Sequence, residues 1–331
     1  MIGSASVRAA RGGDAGHEAP ILRATVAEPM RLLVLTARYP LPEQPAAGAF
    51  VRRRLADPEL EATVVAPPTL RSPAWRRYGG LLWRGLTARG PFDGVEGHFV
   101  LPSGVVALLV ARLRRLPLVV VAHGSDVGPM ARGGLRRWLA RRVVRGADLV
   151  VANSEATRAA VAELGAEAVV IPPGIELERF AVRPRPPAGE RRILYLGGAD
   201  PDKGLDVARR LADTLLGPGL RVVDPEEIPG ILAEHDVLLM PSRREAFGLA
   251  AAEAIAAGRW VVAADVGGLR SVVTPGRNGT LVADDDWAGA LARVPDYDPA
   301  AVAATAARFD VREQRRAMAA AWATVLRARR G

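Results

Sequence analysis

Short unbroken apolar runs recur along the chain, and between them lie stretches where apolar residues return every three or four positions. Arg31–Leu35, Thr63–Ala66, Leu118–Ala122, Asp148–Ala152 and Val169–Ile171 read as strands of the first half. Strands beginning at Arg192 and at Arg221–Asp224, Val237–Met240, Trp260–Ala264 and Thr280–Val282 read as those of the second. These runs are continuous rather than alternating, as expected of strands buried on both faces of a parallel sheet. The helical spacing covers Ala49–Ala56, the apolar stretch before Leu113, the basic segment around Leu135–Val143, Glu155–Leu164, Trp287–Arg293 and Val311–Arg329. Strand and helix alternating in this way predict an α/β fold.

The alternation comes in two series. From Ile175 to Arg191 the chain is rich in Pro and Arg and loses its period, which marks a linker, centred on 181–191. The expected organisation is a disordered extension over 1–29, a first Rossmann-like domain over 30–180, the linker, a second Rossmann-like domain over 192–305, and a C-terminal helix within 306–331. Met318, Ala321, Trp322 and Val325 share one side of that helix, which suits it for packing back on the first domain.

Length and composition change this picture in three ways. The 331 residues, 49% of them apolar, suffice for two cored domains. No apolar run reaches the roughly 18 residues of a spanning helix. Cysteine is absent, so disulfides and thiolate chemistry are excluded and a reducing, cytoplasmic setting is expected. The four histidines, His17, His98, His123 and His235, are scattered, and no metal site is expected. The net charge of +9 is concentrated in residues 1–180, which hold 24 arginines against 16 carboxylates. That basic half predicts an anionic partner. With only 5% aromatic residues and no nucleic-acid-binding motif, nucleic acid is not expected. Around Trp75, Tyr78 and Trp83, aromatic residues interleave with arginines. This pattern fits either a helix at an anionic membrane surface or a core-packing helix with a solvated basic face.

Of the 45 basic residues 44 are arginine and one is Lys203, in the loop after the first strand of the second series. A single surviving lysine points to a site needing a compact ammonium. The second signal is Pro241 to Gly258, a strand–loop–helix transition where helix N–H groups lack internal partners and the helix dipole favours phosphate. Glu245 and Glu253 bracket it, roughly 12 Å apart if the segment is helical throughout. The amides of Phe247, Gly248 and Leu249 lie between them. His123-Gly124-Ser125-Asp126 stands at a strand's carboxyl end, where open parallel sheets bind ligands, and Gly48 precedes the first helix. Asp284-Asp285-Asp286 reads as the acidic start of a helix.

In their order these motifs resemble the retaining family 4 glycosyltransferases of GT-B fold: Gly48, His123-Gly124-Ser125-Asp126, Ala152-Asn153-Ser154-Glu155, Pro173-Gly174, Lys203-Gly204, Glu245 and Glu253 with seven residues between them, and Asp265-Val266-Gly267-Gly268. The resemblance implies two Rossmann-like doubly wound domains facing an interdomain cleft. It implies a retaining, metal-independent transfer, most readily of a hexose, from a nucleoside-diphosphate sugar, with no cofactor. Acceptors of this class are glycans, lipid-linked sugars or small-molecule aglycones of natural products. Glu245 would touch the donor sugar, Glu253 the ribose, and Lys203 with the amides of Phe247, Gly248 and Leu249 the diphosphate. His123 would face the sugar, and Gly48 would let its loop approach the phosphate. Peripheral association with the inner face of an anionic membrane is compatible with the basic half. The sequence departs from the pattern at Gly197-Gly198, where the family has Gly-Arg, so Arg38, Arg243 or Arg244 would have to supply that cation. It departs again in the short stretch between Gly204 and Val237, a shortened second domain. Those departures leave an alternative, a non-catalytic GT-B subunit serving as binding or scaffold partner of another transferase.

Overall fold

The computed structural model describes residues 29–41, 47–69, 72–128, 131, 133–184 and 192–329. The expected extension, apart from Pro29, and most of the expected linker, 185–191, lie outside the described residues.

The first sheet contains β1 (Met30–Thr36), β2 (Leu60–Val65), β3 (Gly94–His98), β4 (Leu118–Ala122), β5 (Leu149–Ala152) and β6 (Val169–Val170), in the spatial order β2-β1-β3-β4-β5-β6. All its pairs are parallel. The second contains β7 (Ile193–Tyr195), β8 (Thr214–Leu215), β9 (Val237–Met240), β10 (Trp260–Ala264) and β11 (Gly279–Val282), ordered β11-β10-β9-β7-β8 and again wholly parallel. Each order reverses beside its first strand, between β1 and β3 and between β7 and β9. In a doubly wound sheet that reversal opens a crevice at the strands' carboxyl ends. Thr36 pairs with His98 at the first of these points.

The expected strand Arg221–Asp224 is not formed. The second strand of this domain is instead the two-residue β8, placed by Asp213, whose Oδ2 accepts the Ile193 N–H at 2.7 Å while its own N–H reaches the Ile193 carbonyl. After Leu216 the chain reverses and leaves Val222 71% exposed, so the apolar run that suggested a strand finds no core. The short stretch between Gly204 and Val237 thus holds this two-residue strand and two short helices, over Leu205–Leu211 and Ile228–Ala233.

Helices cover the sheets on both faces. Over the first sheet, α1 (Ala49–Leu55) lies on one side, and α2 (Ala74–Thr87), α3 (Ser103–Arg114), α4 (Gly134–Gly146) and α5 (Glu155–Glu163) share the other. The second carries α6 (Leu205–Leu211), α7 (Ile228–Ala233), α8 (Leu249–Ala256), α9 (Leu269–Val272), α10 (Trp287–Ala292) and α11 (Pro299–Ala304). Asp286 caps α10, its Oδ1 accepting the Gly289 N–H at 3.0 Å, which accounts for that end of the acidic triplet.

The last helix, α12 (Val311–Ala328), returns to the first domain. Met318, Trp322 and Val325 are buried with Leu32, Val34, Val119, Val121 and Val151 on the face that α1 only partly covers. A Cβ on Gly94 would come within 2.4 Å of the Trp322 ring, so the absence of a side chain there makes room for the indole. The Trp322 Nε1–H donates to Glu96 Oε2 at 2.9 Å. Replacing Trp322 by Ala should destabilise the protein by about 3–5 kcal/mol, the range for a fully buried aromatic. Trp322→Phe should cost about 1–3 kcal/mol, chiefly from a Glu96 oxygen left short of a donor. Denaturant unfolding of the three proteins measures both.

Candidate active site in the interdomain cleft

Loops at the carboxyl ends of both sheets enclose a cavity of about 540 Å³. The first domain contributes Arg38, Gly124, Ser125 and Thr157, and the second Asp200, Asp202, Lys203, Arg244, Glu245 and Ala246. A smaller hollow of about 190 Å³ continues from Lys203 and Glu245 toward Tyr195, Gly197, Ser242, Leu249 and Ala250. A larger one, about 660 Å³, lies at the opposite, amino ends of β1 and β2, away from these loops.

The loop after β9 forms the central wall. Its backbone is gripped from three sides: the Arg243 N–H donates to the Asp202 carbonyl, the Gly268 N–H to the Glu245 carbonyl, and Ser154 Oγ, from the first domain, to the Ala246 carbonyl at 2.7 Å. Gly248 then adopts a left-handed conformation and α8 begins at Leu249. The residues from Glu245 to Gly248 are therefore not helical, and of the two glutamates only Glu253 sits on α8. The N–H groups of Phe247, Gly248 and Leu249 have no protein acceptor among the described residues. The Phe247 ring is buried edge-on against Phe309 at 5.5 Å, so only its backbone can meet a ligand.

Lys203 and Glu245 come together as expected: Nζ stands 2.6 Å from Oε2. An ammonium and a carboxylate so paired, beside open helix amides, form a pre-oriented anion site whose lysine can exchange the carboxylate for a phosphate oxygen. Glu253 is met from the other domain by Arg53 of α1 at 3.3 Å. Burial pushes its carboxyl up, and Arg53 opposes that shift. Sequence reasoning missed Arg53, whose only signal was the run Arg52-Arg53-Arg54, indistinguishable from a solvated face.

Of the three arginines considered as replacement for the absent one, Arg243 is bound to both oxygens of Asp206 and to the Pro201 carbonyl, outside the cavity lining. Arg244 lines the cavity while paired with Asp202. Arg38 lines it from the first domain with its guanidinium unpaired among the described residues. Gly198 has no room for a side chain, since a Cβ would lie 2.6 Å from the Pro218 carbonyl oxygen.

Neither Gly48 nor His123 is among the residues that line the cavity. Gly48 does not line the cavity; a Cβ there would lie 2.4 Å from the Arg38 carbonyl oxygen, so its smallness serves the close packing of two segments of its own domain. His123, half-buried next to Gly124 of the cavity lining, packs against the rings of Phe50 and Phe99. It ends a chain of buried polar groups. Arg54 donates to Glu96, His98 Nε2 lies 2.9 Å from Glu96 Oε1, and His98 Nδ1 lies 3.1 Å from His123 Nε2. Glu96 Oε1 accepts from Arg54, so the His98 Nε2 that faces the same oxygen carries the proton and its Nδ1 accepts. His123 Nε2–H then donates, leaving His123 Nδ1 an acceptor. Burial holds both histidines well below their ordinary range, hence neutral. Asp126 fixes the loop by accepting the N–H groups of Val100 and His123 at 2.6 and 2.9 Å, and burial pushes its carboxyl up to about 6.

Residues 21–179 match the family described as Glycosyltransferase Family 4, and residues 181–294 the one described as Glycosyl transferases group 1. Among curated relatives, the D-inositol 3-phosphate glycosyltransferase of Kineococcus radiotolerans is 32% identical over 296 residues, covering 67% of this chain and 68% of the relative. The enzyme of that name from Geodermatophilus obscurus is 32% identical over 267 residues, 62% of this chain and 59% of the relative. The chain thus spans about three fifths of the length of several of these relatives. Among solved structures, Anabaena HepE in complex with UDP and glucose superposes with a TM-score of 0.69 at 19% identity, covering 89% of this chain and all of that one. Sucrose-phosphate synthase from Thermosynechococcus elongatus gives 0.70 at 18%, covering 90% of this chain and all of that one. At such identities the likeness establishes the fold.

The buried histidines set a pH dependence. Below about pH 6.5 the unfolded chain takes up protons there more readily than the folded chain, so stability falls with falling pH. Asp126 acts oppositely between its ordinary value and about 6, where the fold holds a proton the unfolded chain has lost, so the net loss there corresponds to one proton. Thermal midpoints should therefore drop between pH 7 and 5, and more shallowly in His98→Asn/His123→Asn than in the parent.

Proposed function

The chain belongs to the family 4 glycosyltransferases of GT-B fold, and on that premise we propose that it transfers a sugar, a hexose by preference, from a nucleoside-diphosphate donor with retention of configuration and without a metal ion. The observation that carries this reading is the Lys203–Glu245 pair beside the open amino end of α8, facing the Gly124–Ser125 loop across the cleft. Breaking the bond between the sugar C1 and the diphosphate oxygen builds negative charge on the leaving group. Lys203 and the amides of Phe247, Gly248 and Leu249 are positioned to stabilise it, with Arg38 as the remaining cation. Preorganised positive charge of this kind supports a metal-independent step.

In the proposed transfer the C1–O bond to phosphate breaks, a C1–O bond to the acceptor forms on the same face, and the acceptor's hydroxyl proton passes to the leaving phosphate oxygen. Glu245, released when Lys203 turns to phosphate, would accept hydrogen bonds from the donor sugar's hydroxyls. Neutral His123 would act as an acceptor at its Nδ1 from the other wall. Glu253 would take the ribose while sharing its charge with Arg53. Acceptors compatible with the basic first domain are glycans, lipid-linked sugars and small aglycones, used in a cytoplasmic setting. No observation in the cleft favours the scaffold reading, because the lysine, the glutamates and the free amides are all retained in place.

A panel of UDP-, GDP- and dTDP-sugars tests the proposal by thermal shift: at least one should raise the midpoint. A folded protein that responds to none would sink it. Lys203→Ala and Glu245→Ala should each lower turnover with the identified donor at least tenfold, about the loss expected from removing a charged hydrogen-bond partner.

A further inference from the structure

Helices α2, α3 and α4 lie side by side over one face of the first sheet, and their inner residues form its core. Their outer face is unusual in two independent respects. First, it leaves large apolar side chains in solvent: Trp75 and Trp83 on α2 are 70% and 69% exposed, Leu113 on α3 68%, and Leu135 and Trp138 on α4 71% and 51%. The other three tryptophans, Trp260, Trp287 and Trp322, are all buried. Second, the three helices carry three, two and five arginines, ten in all, and no carboxylate. None of these arginines forms an ion pair among the described residues, whereas arginines elsewhere in the fold commonly do.

The two features are interleaved. The Arg76 guanidinium lies 5.0 Å from the Trp75 ring centre and that of Arg142 5.1 Å from Trp138. Cation and indole thus present together at one level. A core-packing helix accounts for Leu81, Val110 and Val143 but not for these side chains. A bilayer's headgroup region accepts both at once, the rings at the interfacial depth that tryptophan prefers and the guanidinium groups against lipid phosphate. A second copy of the same face is disfavoured, since it would oppose seven exposed arginines to seven. No described helix is long and apolar enough to cross a membrane, so the contact is superficial.

We propose that the outer face of α2, α3 and α4 docks on an anionic lipid bilayer. The proposal does not depend on the transfer reaction, and vesicle binding can be measured without a donor.

The full chain is mixed with vesicles of phosphatidylcholine alone or containing about a third phosphatidylglycerol, and bound protein is measured by flotation. The expected result is at least tenfold stronger partition onto the anionic vesicles, weakened by salt and accompanied by a blue shift of tryptophan emission. Trp75→Ala/Trp83→Ala/Trp138→Ala and Arg136→Gln/Arg141→Gln/Arg142→Gln should each reduce partition tenfold or more with unchanged thermal midpoints, and the first should lose the blue shift. Arg209→Gln/Arg210→Gln/Arg277→Gln, an equal change of charge at exposed positions of the second domain, should alter it less than twofold. Equal binding to both vesicles, no binding, equal losses in the control variant, or preference for a DNA duplex over anionic vesicles in competition would overturn the proposal.

Discussion

The site depends on backbone packed directly against backbone around the loop that leads from β9 into α8. A Cβ at Gly204 would come within 2.0 Å of the Pro241 carbonyl oxygen, at Gly267 within 2.1 Å of that of Glu245, and at Gly268 within 2.2 Å of that of Ala246. From the other domain, a Cβ at Gly124 would meet the Ala246 side chain at 2.4 Å. Three loops lacking side chains at these points press on one segment, fixing its carbonyls inward and leaving the amides after it free. Those amides stay open because they lead into the first turn of α8, where an N–H has no helical carbonyl four residues back to meet, and an anion site results.

The same closeness lets the two domains share the site. Ser154 reaches the Ala246 carbonyl, and Arg53 reaches Glu253. Both contacts involve one polar side chain from the first domain and are few enough to be exchanged when a ligand enters. By contrast, the first domain's own interior is tied by a polar chain that no ligand needs to break, running from Trp322 and Arg54 through Glu96 and His98 to His123. A carboxylate at 0% exposure is costly unless every oxygen is met. Here the last helix of the chain supplies one of those partners. The last helix is thereby coupled to the histidine beside the cleft wall, although no α12 residue is among those lining the cavity.

Charge is distributed on the same principle of paired and unpaired surfaces. In the second domain Arg243, Arg244, Arg270 and Arg293 are each matched to a nearby Asp. On α2, α3 and α4 no such matching occurs among the described residues. The net charge of +9 is therefore a local property of one face rather than a diffuse one.

The amino-acid sequence alone determined the two parallel sheets, because strands buried on both faces must be continuously apolar, and Leu118–Ala122, Val237–Met240 and Trp260–Ala264 form where their composition demands. It also exposed Lys203 and Glu245, one by rarity and one by its position before a helix start, and folding brings them to 2.6 Å. Tertiary structure alone decided the rest. Val222 lost its strand to Thr214 because pairing with Ile193 is fixed by Asp213, a contact between residues twenty apart. Gly48 proved to serve its own domain's packing, since the atom it must clear belongs to Arg38. Arg53 and Glu96 carried no legible signal, and Trp322 signalled only the packing of its helix, because an arginine in a basic run, a lone glutamate and an indole N–H acquire their partners only from what folding sets beside them. Local pattern reports which side chains must leave water, and only the assembled fold fixes which polar atom each of them meets.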